Sequence, residues 1–173
     1  MKKLVPNIYA HSIYTINYEN LKKNKVKCLL FDLDNTCVEY PNKVPTSELI
    51  ELFKKLERDD FKVIIFSNTT PKRLEKFTSA GMEVYGLSKK PSKKGFMNIL
   101  KKYFYQKNEV CIIGDQLFTD ILGGNRVGIR TVLVDPLGKK DFIFTKITRT
   151  LEKIIFWKMK KKNILEKGIY YDL

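Results

Sequence analysis

The 173-residue sequence predicts an open, parallel α/β sheet with helices on both faces, formed by a single domain. Short apolar runs alternate along the chain with stretches of helical periodicity, which is the order typical of such sheets. The apolar runs are continuous rather than alternating with polar residues, as expected for strands that helices cover on both sides. No repeat, low-complexity linker or change of composition indicates a second domain.

The predicted elements follow one another in regular order. The strands are Val26–Phe31, Val63–Phe66, Val110–Ile113 and Thr131–Val134. The helices are Thr46–Leu56, Pro71–Ala80, Ser92–Tyr105, a short helix that closes at Gly123–Gly124, and a C-terminal helix over residues 146–162. Residues 1–25 are an N-terminal extension ahead of the first predicted strand.

The charge of the chain limits the kinds of partner that we expect. Lys and Arg outnumber Asp and Glu by 33 to 19, which gives a net charge of +14. Such a charge attracts polyanions, whether phosphorylated substrates, nucleic acid or an anionic membrane surface, although it could also reflect lysine at every exposed position. We expect no nucleic acid, because the sequence has no recognised nucleic-acid motif and no aromatic residues interleaved with the basic ones.

The cysteines and the apolar runs indicate the cellular compartment of the protein. Cys28, Cys37 and Cys111 are odd in number and have no metal-ligand spacing, which fits a reducing environment. No apolar stretch of signal-peptide length follows the N-terminus, and no run approaches the roughly 20 residues of a membrane span. We therefore expect a cytoplasmic protein, which could also contact the cytoplasmic face of the membrane.

Polar residues follow three of the predicted strands. Asp32, Ser67 and Asp115 each come directly after a strand, and the carboxyl ends of parallel strands meet at one edge of a sheet, where ligands bind. Asp34 lies two residues after Asp32, and a divalent cation is a natural way to hold two neighbouring carboxylates together. A calcium loop of the EF-hand type is excluded, because its required glycine and glutamate positions hold cysteine and lysine.

Other polar residues could complete a site at this edge. Asp120 adds a further carboxylate after Asp115, although an acidic residue there could instead favour the start of a helix. Ser67, Asn68 and Lys90 offer the hydroxyl, amide and ammonium groups that can bind phosphate. Each of these signals is weak alone, so their value lies in their order and spacing.

Two further residues are less informative. His11, the single histidine, lies in the N-terminal extension with no predicted strand before it, so we expect a structural or exposed role. This argues against a Ser-His-Asp hydrolase. Arg126 could face the site or the surface, and the sequence does not favour either position.

Taken in order, the polar residues resemble the four-motif signature of haloacid dehalogenase (HAD) phosphatases. The motifs are DxDxT at residues 32–36, a strand-end Ser67, Lys90, and GDxxxxD at residues 114–120. The longer segments FDLDNTCV, SNTTPKR and IGDQLFTDILGGNRVG resemble YqeG-type phosphatases of subclass IIIA, which are similar to mitochondrial phosphatidylglycerophosphate phosphatases. The resemblance covers nearly the whole chain, with Cys37 as a departure where leucine is expected.

The resemblance implies a HAD-like Rossmannoid fold and a magnesium-dependent phosphatase. Asp32 would be the nucleophile that forms an aspartyl-phosphate, and Asp34 would be the general acid and base. Phosphate would be bound by Ser67, Asn68 and Lys90. Mg²⁺ would be bound by Asp32, Asp34, Asp115 and Asp120, with Asp34 contributing its carbonyl oxygen.

The spacing of the motifs limits the substrate. The stretches between Asp34 and Ser67 and between Ser67 and Lys90 are too short for a cap domain, so the crevice should be open to a phosphate on a large surface such as a membrane. The resemblance implies that the substrate is phosphatidylglycerophosphate and the product phosphatidylglycerol. Alternatives are a soluble or macromolecular phosphoester, or an RNA- or ribonucleoprotein-binding module with the same fold.

The predicted C-terminal helix is amphipathic and basic. Its apolar residues, among them Trp157, are mixed with many lysines. Such a helix can lie at the interface of an anionic membrane. Alternatively, its apolar side packs on the sheet and its lysines are solvated, and both arrangements can hold for different turns of the helix.

Overall fold

The structure is a computed structural model that describes residues 1–138 and 143–172, with the backbone alone for residues 143–147. Its centre is a seven-stranded sheet in the order β4-β3-β2-β5-β6-β1-β7. Neighbouring strands are parallel, except that β7 runs antiparallel to β1. The strands are β1 Ile8–Ala10, β2 Cys28–Phe31, β3 Lys62–Phe66, β4 Val84–Tyr85, β5 Val110–Gly114, β6 Arg130–Val134 and β7 Tyr171–Asp172.

Helices cover both faces of the sheet, so the predicted α/β fold class is confirmed. The first three pack on one face and the last three on the other. They are α1 Tyr18–Lys23, α2 Ser47–Arg58, α3 Pro71–Ser79, α4 Lys93–Lys102, α5 Leu122–Val127 and α6 Ile143–Lys161, and a π-helical turn, Leu117–Ile121, precedes α5. Among the residues described, no helix has both the length and the apolar character needed to cross a membrane.

The central strands explain the continuous apolar runs of the sequence. Leu29 and Phe31 of β2 point to the face covered by α2, whereas Cys28 and Leu30 point to the face covered by α4. All four side chains are fully buried. Burial of a large apolar side chain contributes roughly 1.5–3 kcal/mol, so a strand covered on both faces gains from every residue.

Local signals place the helix starts close to their predicted positions. Thr46 caps α2 by accepting a hydrogen bond from the backbone N–H of Leu49 at 3.2 Å. Pro71 occupies the first turn of α3, where its missing N–H costs nothing. Ser92 caps α4 by accepting from the backbone N–H of Lys94 at 3.3 Å. The observed ends differ from the predicted ones by a few residues, as in α4, which ends at Lys102.

Three short strands were not predicted. β1 lies inside the predicted N-terminal extension and pairs with both β6 and β7, so part of the extension belongs to the sheet. β1, β4 and β7 contain only two or three residues each, too few for a pattern of side chains to indicate a strand. His11 directly follows β1, so the expectation that it has no strand-end context is wrong.

The predicted helix end at Gly123–Gly124 is also wrong, because both glycines lie inside α5. A Cβ atom on Gly124 would lie 2.5 Å from Ile112 Cγ2 and 2.6 Å from Thr131 Cγ2. Gly124 is therefore required because α5 packs directly against the sheet, whereas Gly123 faces α4, where a Cβ atom would lie 2.8 Å from Phe96 Cε2. The helix ends instead at Gly128, whose φ of 86° is the left-handed conformation typical of a helix C-terminus.

No extra domain interrupts the sheet between the motifs. The described stretch between Asp34 and Ser67 contains a loop, α2 and β3, and the stretch between Ser67 and Lys90 contains α3 and β4. Both stretches are fully described, and neither holds an inserted cap. The carboxyl edge of the sheet is therefore not covered by a domain inserted at either position.

The close packing of α5 predicts that Gly124→Ala is destabilising. Alanine is the better helix former, but its Cβ would overlap methyl groups on two adjacent strands, so we expect the free energy of unfolding to fall by about 1–3 kcal/mol. Chemical denaturation measures this change. Arg126→Ala, at an exposed position of the same helix, is the control and should change stability by less than about 0.5 kcal/mol. Increased stability of the Gly124 variant would contradict the packing described.

Candidate active site

The carboxyl edge of the sheet brings distant polar residues together. Asp32 follows β2, Ser67 follows β3 and Asp115 follows β5. The parallel register aligns Phe31 with Ile65 on one side and with Ile113 on the other, so these strands end close together. The side chains that follow the strands are buried in the same region, as the sequence predicts.

Three buried carboxylates form the centre of this region. Asp32, Asp115 and Asp120 each offer one oxygen atom, and the three atoms lie within 4.8 Å of one another. Asp120 comes from the π-helical turn, a feature often found at functional sites. Gly114 makes room for it, because a Cβ atom there would lie 2.3 Å from the Asp120 carboxyl carbon. Thr36 Oγ1 donates a hydrogen bond to Asp115 Oδ1 at 3.1 Å.

Lys90 lies between two of these carboxylates. Its Nζ donates to Asp32 Oδ1 and to Asp120 Oδ1, each at 2.7 Å, and its side chain is only 1% exposed. Burial alone would lower the pKa of Lys90, but the Asp120 and Asp32 carboxylates outweigh that effect and raise its pKa above the usual value. The ammonium group is therefore charged and offsets part of the repulsion between the two acids.

The electrostatics of the cluster favour an additional cation. Burial raises the pKa of Asp115 to about 8 and that of Asp120 to about 6, although Arg149 and Lys90 respectively oppose the rise. The charged carboxylates are thus costly in this environment, and a bound cation would stabilise them. A compact set of carboxylate oxygens suits a hard divalent ion such as Mg²⁺, so the residues present fit that ion.

Asp34 lies beside the cluster in a more accessible position. Arg73 of α3 donates to Asp34 Oδ1, and also to the carbonyl oxygens of Pro41 and Asn42 at 3.1 and 2.8 Å. Burial raises the pKa of Asp34, and the hydrogen bond and charge of Arg73 oppose this rise. Arg73 therefore fixes the carboxyl group and moderates its acidity.

The predicted phosphate-binding residues differ in their surroundings. Ser67 is buried at the end of β3, and its Oγ accepts a hydrogen bond from the backbone N–H of Thr69 at 3.3 Å. Asn68 Oδ1 accepts from Ser88 Oγ at 2.8 Å and from the backbone N–H of Lys90 at 2.7 Å. The Asn68 side chain thus holds the loop that carries Lys90, and its role in binding phosphate stays a prediction.

The C-terminal helix also reaches the cluster. Arg149 Nη1 donates to the Asp115 carbonyl oxygen at 2.8 Å and to Glu152 Oε2 at 3.1 Å, and its Nη2 donates to the Asp115 carboxylate. Glu152 Oε1 accepts from the backbone N–H groups of Leu117 and Phe118 at 2.6 and 3.4 Å. Two side chains of α6 therefore hold both Asp115 and the start of the π-helical turn.

Sequence reasoning missed the roles of Arg73, Arg149 and Glu152. Arg149 is separated from Asp115 by 34 positions, so no local motif joins them. One signal was available: only five of the 33 basic residues are arginine, and arginine is favoured where a guanidinium group must bind a carboxylate with two donors. Arg126, for which the sequence favoured neither position, is exposed on α5.

Two relatives share much of this sequence. The chain is 35% identical over 166 residues to probable phosphatase YqeG of Bacillus subtilis (strain 168), covering 95% of this chain and 96% of that protein. It is 30% identical over 164 residues to phosphatidylglycerophosphate phosphatase 1, chloroplastic/mitochondrial, of Arabidopsis thaliana. That match covers 84% of this chain but only 45% of the plant protein, so the chain spans less than half of the plant protein's length.

Solved structures share the fold at low sequence identity. A HAD-like family hydrolase from Porphyromonas gingivalis matches with a TM-score of 0.52 and 16% identity, over 73% of this chain and 98% of its own. The D,D-heptose 1,7-bisphosphate phosphatase of B. bronchiseptica, solved with magnesium and phosphate, matches with a TM-score of 0.53 and 14% identity, over 62% of this chain and 80% of its own. These likenesses confirm the HAD-like fold.

A family model matches most of the chain. The model described as mitochondrial PGP phosphatase matches residues 1–138, which include every predicted site residue. Together with the Bacillus relative, this match confirms the predicted enzyme class, a phosphoric monoester hydrolase. The chain belongs to the mitochondrial PGP phosphatase family.

Proposed function

We propose that the protein is a magnesium-dependent phosphomonoester hydrolase that converts phosphatidylglycerophosphate to phosphatidylglycerol through an aspartyl-phosphate. The observation that carries the chemistry is the buried cluster of Asp32, Asp115 and Asp120 with Lys90 between two of its members. The substrate is taken from the family and from the named activity of the plant relative.

Asp32 is the proposed nucleophile. Its carboxylate oxygen attacks the phosphorus atom of the substrate, and the bond from phosphorus to the alcohol oxygen breaks, which leaves the phosphoryl group on Asp32. Lys90, whose Nζ lies 2.7 Å from Asp32 Oδ1, is placed to stabilise negative charge on the transferring oxygens. Ser67, buried at the neighbouring strand end, and Asn68 are proposed to assist it.

Asp34 is the proposed acid and base. In its protonated form it gives a proton to the departing alcohol oxygen, and in its charged form it then takes a proton from the water that hydrolyses the aspartyl-phosphate. That second step releases inorganic phosphate and restores the Asp32 carboxylate. A pKa raised by burial supports this double role, because both protonation states are then accessible closer to neutral pH.

The proposed metal ligands are the carboxylates of Asp32, Asp115 and Asp120, together with the backbone carbonyl of Asp34. When bound, Mg²⁺ supplies the positive charge that offsets repulsion between the nucleophile and a phosphate dianion. Arg149 and Thr36, which contact Asp115, keep that ligand in position.

A lipid substrate is compatible with the architecture. No cap domain is inserted between the motifs, so the carboxyl edge of the sheet is accessible to a phosphate that is anchored in a bilayer. The net charge of +14 favours approach to an anionic membrane. Peripheral contact with the cytoplasmic face of such a membrane is part of this proposal.

The first test measures phosphate release from phosphatidylglycerophosphate in mixed micelles with and without Mg²⁺. We expect magnesium-dependent release by the full chain and a loss of more than about 10³-fold in Asp32→Asn, the scale expected when a covalent nucleophile is removed. Asp59→Asn, at an exposed position after α2, is the matched control and should retain activity.

Parallel assays separate the alternatives. Release of phosphate from an aryl phosphate but not from the lipid would support the proposed reaction and exclude phosphatidylglycerophosphate as the substrate. High turnover of a sugar phosphate or nucleotide, unaffected by micelles, would indicate a soluble substrate. If no phosphoester releases phosphate and the Asp32→Asn variant binds RNA, the protein is a binding module rather than an enzyme.

The contact between Arg73 and Asp34 predicts a change in pH dependence. Arg73 opposes the effect of burial on the pKa of Asp34, so Arg73→Ala should let that pKa rise further. A raised pKa means that protonation persists to higher pH, and the limbs of the pH–rate profile that depend on Asp34 should move upward in pH. Hydrolysis of an aryl phosphate across a pH series measures this shift. Lys72→Ala removes the same charge at the adjacent exposed position and should leave the profile in place.

The position of Lys90 predicts a link between stability and metal. In EDTA, Lys90→Met should lower the free energy of unfolding by about 3–5 kcal/mol, because two buried carboxylates lose their counter-charge. Mg²⁺ should stabilise this variant more than it stabilises the parent, as measured by denaturation in each condition. Lys93→Met, exposed at the start of α4, is the control. An equal response of variant and parent to Mg²⁺ would contradict the link between Lys90 and the metal, and no response in either protein would contradict a cation site at the aspartates.

A further inference from the structure

Helix α6 has two apolar faces, and only one of them packs on the part of the protein that the structure describes. The inner face carries Glu152 and Met159, which are buried against the π-helical turn and the sheet. On the opposite face, Leu151, Ile154 and Trp157 are 49%, 48% and 56% exposed. Within residues 1–138 and 148–172, the outer apolar side chains of this helix thus remain about half exposed.

The exposed residues form a continuous stripe rather than isolated positions. Residues three and four apart lie on the same side of a helix, so Leu151, Ile154 and Trp157 are aligned together with Lys158 and Lys161. We call these five residues the outer stripe. Large apolar side chains that cluster on a surface mark an interaction site, whereas singly exposed ones need no explanation.

The charged residues on the outer face of α6 have one sign. Glu152 is the single acidic residue of α6, and it is buried on the inner face, whereas lysines border the stripe and fill the last turn of the helix. Lys161 Nζ lies 4.0 Å from the centroid of the Trp157 ring. Lysine side chains can extend from such an apolar surface to bring their ammonium groups to anionic headgroups.

We infer that the outer stripe docks the protein on an anionic lipid bilayer, with α6 lying in the plane of the interface. A helix with an apolar stripe, an aromatic residue and flanking lysines is suited to the boundary between headgroups and acyl chains. Nucleic acid fits less well, because leucine and isoleucine would face phosphates and one tryptophan is not a stacking platform. The inference rests on the proposed function for its physiological lipid, but docking itself requires no turnover.

The outer stripe lies on the same helix as a side chain of the site. Arg149 contacts Asp115, and Ile154 follows Arg149 by five residues, or about 7.5 Å along the helix axis. Docking through the outer stripe would therefore place the helix that contacts Asp115 at the membrane surface, with the acid cluster on its inner side.

Trp157 provides the probe for the test, because it is the single tryptophan of the chain. The full chain is titrated with phosphatidylglycerol vesicles and, separately, with phosphatidylcholine vesicles. We expect a blue shift of tryptophan emission and co-sedimentation with the anionic vesicles, weakened by salt because lysines contribute. Absence of both signals would overturn the inference.

A double variant, Leu151→Ser with Ile154→Ser, keeps the probe and removes apolar contact. It should weaken vesicle binding by at least about tenfold, since two large side chains no longer enter the lipid. Phe104→Ser is the matched control, because Phe104 is 93% exposed after α4 and is not part of the outer stripe. Equal weakening by the control, or undiminished binding by the double variant, would overturn the assignment of the surface.

Activity assays separate this inference from the proposed function. The double variant should hydrolyse a soluble aryl phosphate at the parent rate but lose activity toward phosphatidylglycerophosphate in vesicles. If the protein docks on vesicles but hydrolyses no substrate, docking through the outer stripe is supported and the proposed phosphatase activity is contradicted. Hydrolysis of vesicle lipid at the parent rate by the double variant would overturn docking through the outer stripe and leave the phosphatase proposal intact.

Discussion

The burial of three carboxylates at one point is the constraint on which the rest of the site depends. Asp32, Asp115 and Asp120 repel one another, and burial deprives them of solvation by water. Such an arrangement persists only if counter-charges and hydrogen bonds are built around it. Lys90 supplies one counter-charge and Arg149 another. The fold therefore has to bring these cations to the edge of the sheet as reliably as the acids.

The cations come from three different parts of the chain. Lys90 stands in the loop before α4, where the Asn68 amide fixes the backbone. Arg73 comes from α3 and Arg149 from α6, on opposite faces of the sheet. Each contacts its own acid or pair of acids, so the packing of several helices determines the charge balance of one site. Close packing also requires glycine at two positions, Gly114 within the site and Gly124 on α5.

The sequence was sufficient to predict the sheet, its main helices and the acids. Buried strands leave long apolar runs, and polar residues directly after them indicate the carboxyl edge. It was insufficient for β1, β4 and β7, which are too short to show a pattern. It was also insufficient for Gly123 and Gly124, which permit close contacts of α5 with Phe96 of α4 and with the sheet, respectively. The contact between Arg149 and Asp115 depends on how α6 packs, and no local spacing encodes it.

The distance along the chain between Asp115 and Arg149 has a consequence for synthesis. A ribosome adds Asp115 to the chain 34 residues before Arg149, so this buried carboxylate is synthesised ahead of its guanidinium partner. Only when α6 packs does Asp115 gain its guanidinium partner and the π-helical turn its Glu152 acceptor. Folding of the earlier elements cannot by itself complete the charge balance of the site, because one of its cations arrives with α6.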